Sequence, residues 1–274
     1  MEPYKPQLDF VYPDKPDEHM VDVKFTHETI LNDKYPFLDK SFKFRFMRGL
    51  IHLGIFTIVF PLLIPLRFGL KIEGRKILFK YRKLLKNGAM TISNHVHRWD
   101  FLFMLKAVRY RSMYFPAFRD NLNSSDENFV RWAGGIPIPD EINLIKYFYQ
   151  AFDEIHAKKK WIHSYPESAM FPYFLPVRPF KKGVFTMAHR YDLPVVPAAF
   201  SYRKPHFPFT LVNLLRSLTG RQKLPMITLR FGEPVVFDKN LSRKEAILKM
   251  RRECHEEIVR LAGIHDNPFP PEGD

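Results

Sequence analysis

With 274 residues, 46% of them hydrophobic, the chain is long enough for one large α/β domain with an attachment and too apolar to be disordered. Its one cysteine, Cys254, excludes an internal disulfide and a cysteine zinc site, and fits a reducing compartment. The net charge of +14 narrows the partners to anionic ones: nucleic acid, acidic lipid headgroups or phosphorylated substrates. No charged repeat, zinc spacing or aromatic–basic sheet motif singles out nucleic acid.

In chain order, residues 1–40 read as an irregular arm, with Pro3, Pro6, Pro13, Pro16 and Pro36 and without the apolar core of a secretory signal. Residues 41–70 begin with a basic lead-in, from Lys40 to Arg48. They continue as an apolar run from Gly49 to Leu66, near the lower length limit for a spanning helix. Pro61 and Pro65 are expected to break this run. It reads as a helix dipping into one leaflet, or a short hairpin, with Lys and Arg at the headgroups. A buried core helix and a single full span are the alternatives.

From residue 71 to 264 short apolar runs alternate with helical segments. Strands are expected at GLKIEG, at 89–93, 112–118, GIPIP, 161–166, 193–203 and within 225–237. Helices are expected at KILFKYRKLLKNG, 100–110, 124–135 (with a Ser cap, an acidic first turn and a Gly end), 141–160, 183–192 and 241–263. Residues 204–224 read as an insertion and 265–274 as a tail. Cys254 lies in the charged stretch RRECHEEIVR, so a surface or half-buried structural thiol is expected. The alternation argues for an α/β fold with a largely parallel central sheet flanked by helices, preceded by the membrane-associating helical segment. Neither glycine-rich phosphate-loop pattern occurs.

The chemistry concentrates in Thr91-Ile-Ser-Asn-His-Val-His-Arg-Trp-Asp100, where an apolar strand runs into a polar cluster and then a helix, the usual place for a site in such a fold. Within one helix, positions five apart point roughly 140° apart. His95 and Asp100 therefore meet only if His95 is in the turn and Asp100 in the first helical turn. A carboxylate on one imidazole nitrogen fixes the tautomer and stabilises the imidazolium, leaving the other nitrogen to take a hydroxyl proton. The plain alternative is a helix cap at Asp100 and a surface histidine. His97 alternates with His95, but no third and fourth ligand is evident, so no metal site is expected. Backbone N–H groups at the start of the 100–110 helix are candidates for holding an oxyanion. Phe101, Phe103, Met104 and Leu105 either line an acyl tunnel or form ordinary core.

The segment NHVHRWD resembles the H-x-x-x-x-D signature of the glycerolipid acyltransferases, the lysophosphatidic acid acyltransferase-like family. GGIPIPD, SYPESAMFPYFLPVRPFKKG and LPVVPAAF resemble that family's second, third and fourth blocks, in order, over roughly 50 to 235. The resemblance implies an O-acyltransferase of phospholipid biosynthesis, with His95 as general base, Asp100 as its partner and Glu167 in the acceptor site. It implies an acyl-CoA or acyl-carrier-protein donor, no bound cofactor, and a membrane lipid acceptor of the 1-acylglycerol-3-phosphate type. The enzyme is then expected on the cytoplasmic face of a membrane, monotopic or peripheral, rather than on nucleic acid. A surface turn carboxylate is the alternative for Glu167.

Two blocks depart from the family pattern. GGIPIPD lacks the arginine usual there, and Ser168, Ala169 and Met170 replace the usual Gly-Thr-Arg after Glu167. Arg178, Lys181 and Lys182 are the candidate replacements for phosphate binding, unless they are solvated or lipid-facing charges.

Overall fold

The computed structural model describes residues 4–18, 20, 25–108 and 112–272. Seven strands form one sheet: β1 (Lys71–Glu73), β2 (Met90–Ser93), β3 (Met113–Ala117), β4 (Gly135–Pro137), β5 (Trp161–Ser164), β6 (Val195–Arg203) and β7 (Met226–Phe231). Their order is β1-β7-β6-β2-β5-β3-β4, and every pair is parallel except β6–β7. The expectation of a largely parallel sheet with flanking helices is met.

Both faces of the sheet are covered, so the strands read as continuous apolar runs rather than as alternating ones. Along β6, Val195 and Ala199 join one core cluster, whereas Val196, Ala198 and Phe200 join the other. That division follows the period of two along a strand.

The helices are α1 (Phe42–Gly54), α2 (Ile64–Phe68), α3 (Lys76–Lys80), α4 (Asp100–Val108), α5 (Glu127–Ala133), α6 (Ile145–Ala157), α7 (Lys182–Arg190), α8 (Phe209–Leu218) and α9 (Arg243–Ala262). Helices α6, α7 and α9 contribute to the first core, and α4 with α2 to the second. Residues 109 and 110 of the helix expected over 100–110 lie outside the described residues. Helix α9 carries the capping box that its sequence announces: Ser242 and Glu245 satisfy each other's backbone N–H groups.

Three local expectations are corrected. First, Pro61 and Pro65 do not break the apolar run. Helices α1 and α2 are joined through π-type turns at Ile55–Leu63 into one helix, Phe42–Phe68. The wider π turn makes room for the Pro61 ring, which would meet the carbonyl four residues back in an α-turn, and Ile64 N–H bonds to Val59 O instead. Pro65 stands where the π turns give way to α2. At 27 residues the helix is long and apolar enough, by length and composition, to cross a membrane.

Second, α5 starts at Glu127 without a side-chain cap. The Ser124 hydroxyl instead accepts from Asp126 N–H at 3.2 Å in the preceding turn. Third, Cys254 is fully buried, because α9 turns that face onto the core.

Candidate active site

Strand β2 lies in the middle of the sheet, and its C-terminal end delivers Asn94 and His95 into a turn. Asn94 is buried and pinned to β6: its amide donates to Phe200 O at 3.0 Å and accepts from Phe200 N–H at 2.7 Å. Helix α4 then begins at Asp100, the geometry that the five-residue spacing requires.

His95 Nδ1 is 3.1 Å from Asp100 Oδ2. The same carboxylate oxygen accepts from Val96 N–H at 2.7 Å and from His97 N–H at 2.9 Å. Asp100 is completely buried, and burial holds its carboxyl well above the usual carboxylate range against the pull of the His97 and Val96 N–H groups. Nε2 is the imidazole nitrogen that Asp100 does not hold.

His95 lies on the wall of a cavity of about 1120 Å³. Arg98, Ser168 and Lys181 bring polar groups to that wall, and Phe101, Leu102 and Phe115 bring apolar surface. Phe103, Met104 and Leu105 lie instead in the core beneath. Val59 of the long apolar helix also borders the cavity, which therefore reaches from the base to that helix.

Four amides of the turn that leads into α4 are engaged. Val96 and His97 N–H serve Asp100, Trp99 N–H donates to His97 Nδ1 at 3.0 Å, and Asp100 N–H donates to His97 O at 3.0 Å. His97 itself packs between Phe68 and Tyr173, and burial pushes its imidazole down to about 3. Its ring thus shapes the turn as an acceptor for Trp99. Among the described residues, no group of three His, Cys, Asp or Glu side chains is placed to hold a metal ion.

Glu167 and Arg178 form a pair behind the cavity wall that Pro166 and Ser168 line. Both are buried. Glu167 Oε2 accepts from His95 N–H at 2.8 Å and from Arg178 Nη2 at 3.0 Å, and Glu167 Oε1 accepts from Arg178 N–H at 2.8 Å. The guanidinium also donates to Pro16 O at 2.7 Å and to Ala169 O, and lies 3.9 Å over the Phe171 ring. Through Glu167, the guanidinium is thus linked to the backbone N–H of His95. Of the remaining candidates, Lys181 lines the cavity and pairs with Asp17 at 2.8 Å, whereas Lys182 is exposed at the start of α7, off the cavity wall.

The sequence reading missed Tyr165, Arg98 and His163. The Tyr165 ring stacks on His95 with centroids 3.8 Å apart and planes 10° apart. His163 meets Tyr165 edge-on at 4.6 Å, and burial pushes the His163 imidazole down to about 3, so it stays neutral. A signal for the pair existed: residues 163 and 165 are two apart at the end of a strand and share its face. Arg98 is held by Asp126 at 2.7 Å, a contact between distant segments that no spacing announces.

Ser168 has φ of +71°, in the left-handed region that favours glycine. The turn after Glu167 thus holds a conformation that its own residue disfavours.

Residues 71–201 match the family model described as Acyltransferase. The chain is also similar to the crystal structure of the 1-acyl-sn-glycerophosphate (LPA) acyltransferase PlsC from Thermotoga maritima. The TM-score is 0.51 at 18% identity, covering 82% of this chain and 83% of that one, a likeness of fold. No curated protein gives a significant match. The strand–turn–helix and its histidine–aspartate pair lie inside the segment, residues 71–201, that matches the acyltransferase family model.

Proposed function

We propose that the protein is a membrane-surface O-acyltransferase. It moves a fatty acyl group from acyl-CoA or acyl-carrier protein to the hydroxyl of a lysophospholipid-type acceptor, with 1-acylglycerol-3-phosphate as first choice, in phospholipid biosynthesis. The observation that carries this reading is the His95–Asp100 pair, on the wall of a large, partly apolar cavity and inside the segment that matches the acyltransferase family model.

The acceptor oxygen attacks the thioester carbonyl as its proton passes to His95 Nε2. Asp100 balances the imidazolium that forms. Collapse of the tetrahedral intermediate breaks the carbon–sulfur bond, and the departing thiolate takes the proton back from Nε2. The nucleophile is the substrate itself, so no serine or cysteine of the chain is consumed. Arg98 and Lys181 are the cations on the cavity wall that suit an acceptor phosphate. The exposed apolar side chains of the Phe42–Phe68 helix, next to Lys40, Lys43, Arg45 and Arg48, suit a monotopic or peripheral seat on the cytoplasmic face of a bilayer.

A second reading, a lipid acceptor without phosphate, is favoured by the engagement of Arg178 in the interior. The test is transfer from radiolabelled acyl-CoA and acyl-carrier protein to lyso-lipids with and without phosphate, with His95→Ala as control. Transfer to the phosphorylated acceptor, with KM raised in Lys181→Ala and Arg98→Ala, supports the first reading. Preference for a neutral acceptor, with KM indifferent to both variants, supports the second. Folded wild-type protein that matches His95→Ala in every reaction defeats both.

A further inference from the structure

Helix α8, in the connection between β6 and β7, has its apolar face turned the wrong way for a soluble protein. Leu211, Leu214, Leu215 and Leu218 fall at i, i+3, i+4 and i+7, one stripe of the helix, which on an ordinary surface helix packs on the core. Here these leucines are 51%, 52%, 57% and 74% exposed, and the one buried residue of the helix is polar, Asn213. The cause is local. The Asn213 amide donates to Leu224 O at 2.9 Å and accepts from Leu224 N–H at 3.0 Å, which pins the polar face down and holds the leucines outward. Phe207, exposed just before the helix, extends the apolar surface.

The charge around α8 indicates what covers it. Between Asp192 and Glu233 there is no acidic residue, and Lys204, Arg216, Arg221 and Lys223 lie on or beside the helix, while Arg203 and Arg230 are engaged with Gly69 O and Glu73. Leucines with cations beside them suit an acidic lipid surface, where the apolar face enters the acyl region and the Lys and Arg side chains reach the headgroups. Ten residues span only ~15 Å, too short to cross a bilayer, so the helix would lie along the interface. It also adjoins the other apolar surface. The Phe209 ring packs against Gly69, the C-cap of α2, and Arg203 donates to Gly69 O. Leu62, Leu63 and Leu66 are exposed on the same end of the long helix.

We propose that α8 is a second bilayer-inserting element, which seats its leucine face in an anionic lipid surface beside the Phe42–Phe68 helix. The proposal rests on the membrane-surface reading above and adds a second point of contact to it, one that fixes how the domain is tilted on the lipid.

The experiment places an environment-sensitive thiol dye at Leu215→Cys and, in a separate protein, at Leu62→Cys. Cys254 is fully buried, so the introduced thiol is the reactive one. Each full-length protein is mixed with phosphatidylcholine vesicles with and without phosphatidylglycerol, carrying a lipid-bound quencher. The expected result is a blue shift and quenching of both labels on the anionic vesicles. Serine at all four leucine positions is expected to leave Tm unchanged and to weaken anionic-vesicle binding at least about tenfold. A Leu215 label that stays in water on vesicles that quench the Leu62 label overturns the proposal and leaves the membrane-surface reading standing. If neither label is quenched, both fall. A blue shift at Leu215 without vesicles that grows with protein concentration identifies a second copy as the occupant and also overturns it.

Discussion

Replacing Asp100 by Asn keeps the shape of the dyad and removes its charge. Because one oxygen, Oδ2, accepts all three hydrogen bonds, the Asn carbonyl can hold Val96 N–H, His97 N–H and His95 Nδ1 as before. What is lost is the attraction between carboxylate and imidazolium. At 3.1 Å and an effective dielectric of about 20 this is about 5 kcal/mol, of which a retained neutral hydrogen bond returns about 1. The remaining ~4 kcal/mol corresponds to roughly a thousandfold loss in kcat. KM should change little, since neither atom of the pair binds the ground-state acceptor. The assay is release of free CoA under saturating donor, with circular dichroism to confirm the fold. Burial works against ionisation of Asp100, and the imidazolium with the Val96 and His97 N–H groups favours the carboxylate during the reaction. A kcat within threefold of wild type would show that the buried carboxyl carries no charge in the reaction, and would refute the dyad as drawn.

The buried Glu167–Arg178 pair gives a second prediction. Glu167→Gln leaves the guanidinium without a counter-charge and should cost about 3–5 kcal/mol, read as a fall in Tm. An unchanged Tm with a raised acceptor KM would return Glu167 to the acceptor site. Ser168→Gly should stabilise by about 0.5–1 kcal/mol by relieving the left-handed conformation, and a lower Tm would contradict that account. The Tyr165 hydroxyl is buried with no hydrogen-bond partner among the described residues. Tyr165→Phe should therefore hold or raise Tm and keep kcat, whereas Tyr165→Leu, which removes the stack on His95, should lower kcat about tenfold.

Acid should destabilise the fold. Burial holds His97 and His163 down at about 3 and His255 at about 4. The unfolded chain takes up these protons near pH 6.5 and the folded one does not, so stability falls as pH drops below about 6.5. By pH 5 the loss is about 2 kcal/mol per histidine, about 6 for the three. Denaturant midpoints that stay level between pH 7.5 and 5 would count against this burial.

What could be read from the sequence was what depends on near neighbours. The alternation of strand and helix, the caps of α9, and the turn that brings His95 to Asp100 all follow from spacing within about twenty residues. Contacts between distant segments could not be read this way. The spacing in the sequence does not mark Glu167 as the buried partner of Arg178. Pro61 carried a rule about α-helices into a segment that adopts a wider turn. Leu211 to Leu218 showed a helical stripe, but which face it turned to the core depended on Asn213 finding Leu224, and no periodicity reports that.

Residues 12–17 and 267–271 converge on the segment that supports the catalytic turn. Residues 165–181 have almost no regular structure of their own. From one side, Tyr12 donates to Pro172 O, Pro16 O receives Arg178, and Asp17 pairs with Lys181. From the other, Asn267 brackets Val177, accepting from its N–H and donating to its carbonyl, and Pro271 O receives Phe180 N–H. The stretches that looked like a loose arm and a tail are therefore splints. A version trimmed to residues 71–264 would keep every strand and helix of the matched domain and still lose the bracing that holds the histidine's backbone. Substitutions at Tyr12, Pro16, Asp17 or Asn267 therefore act on the site from outside the matched segment.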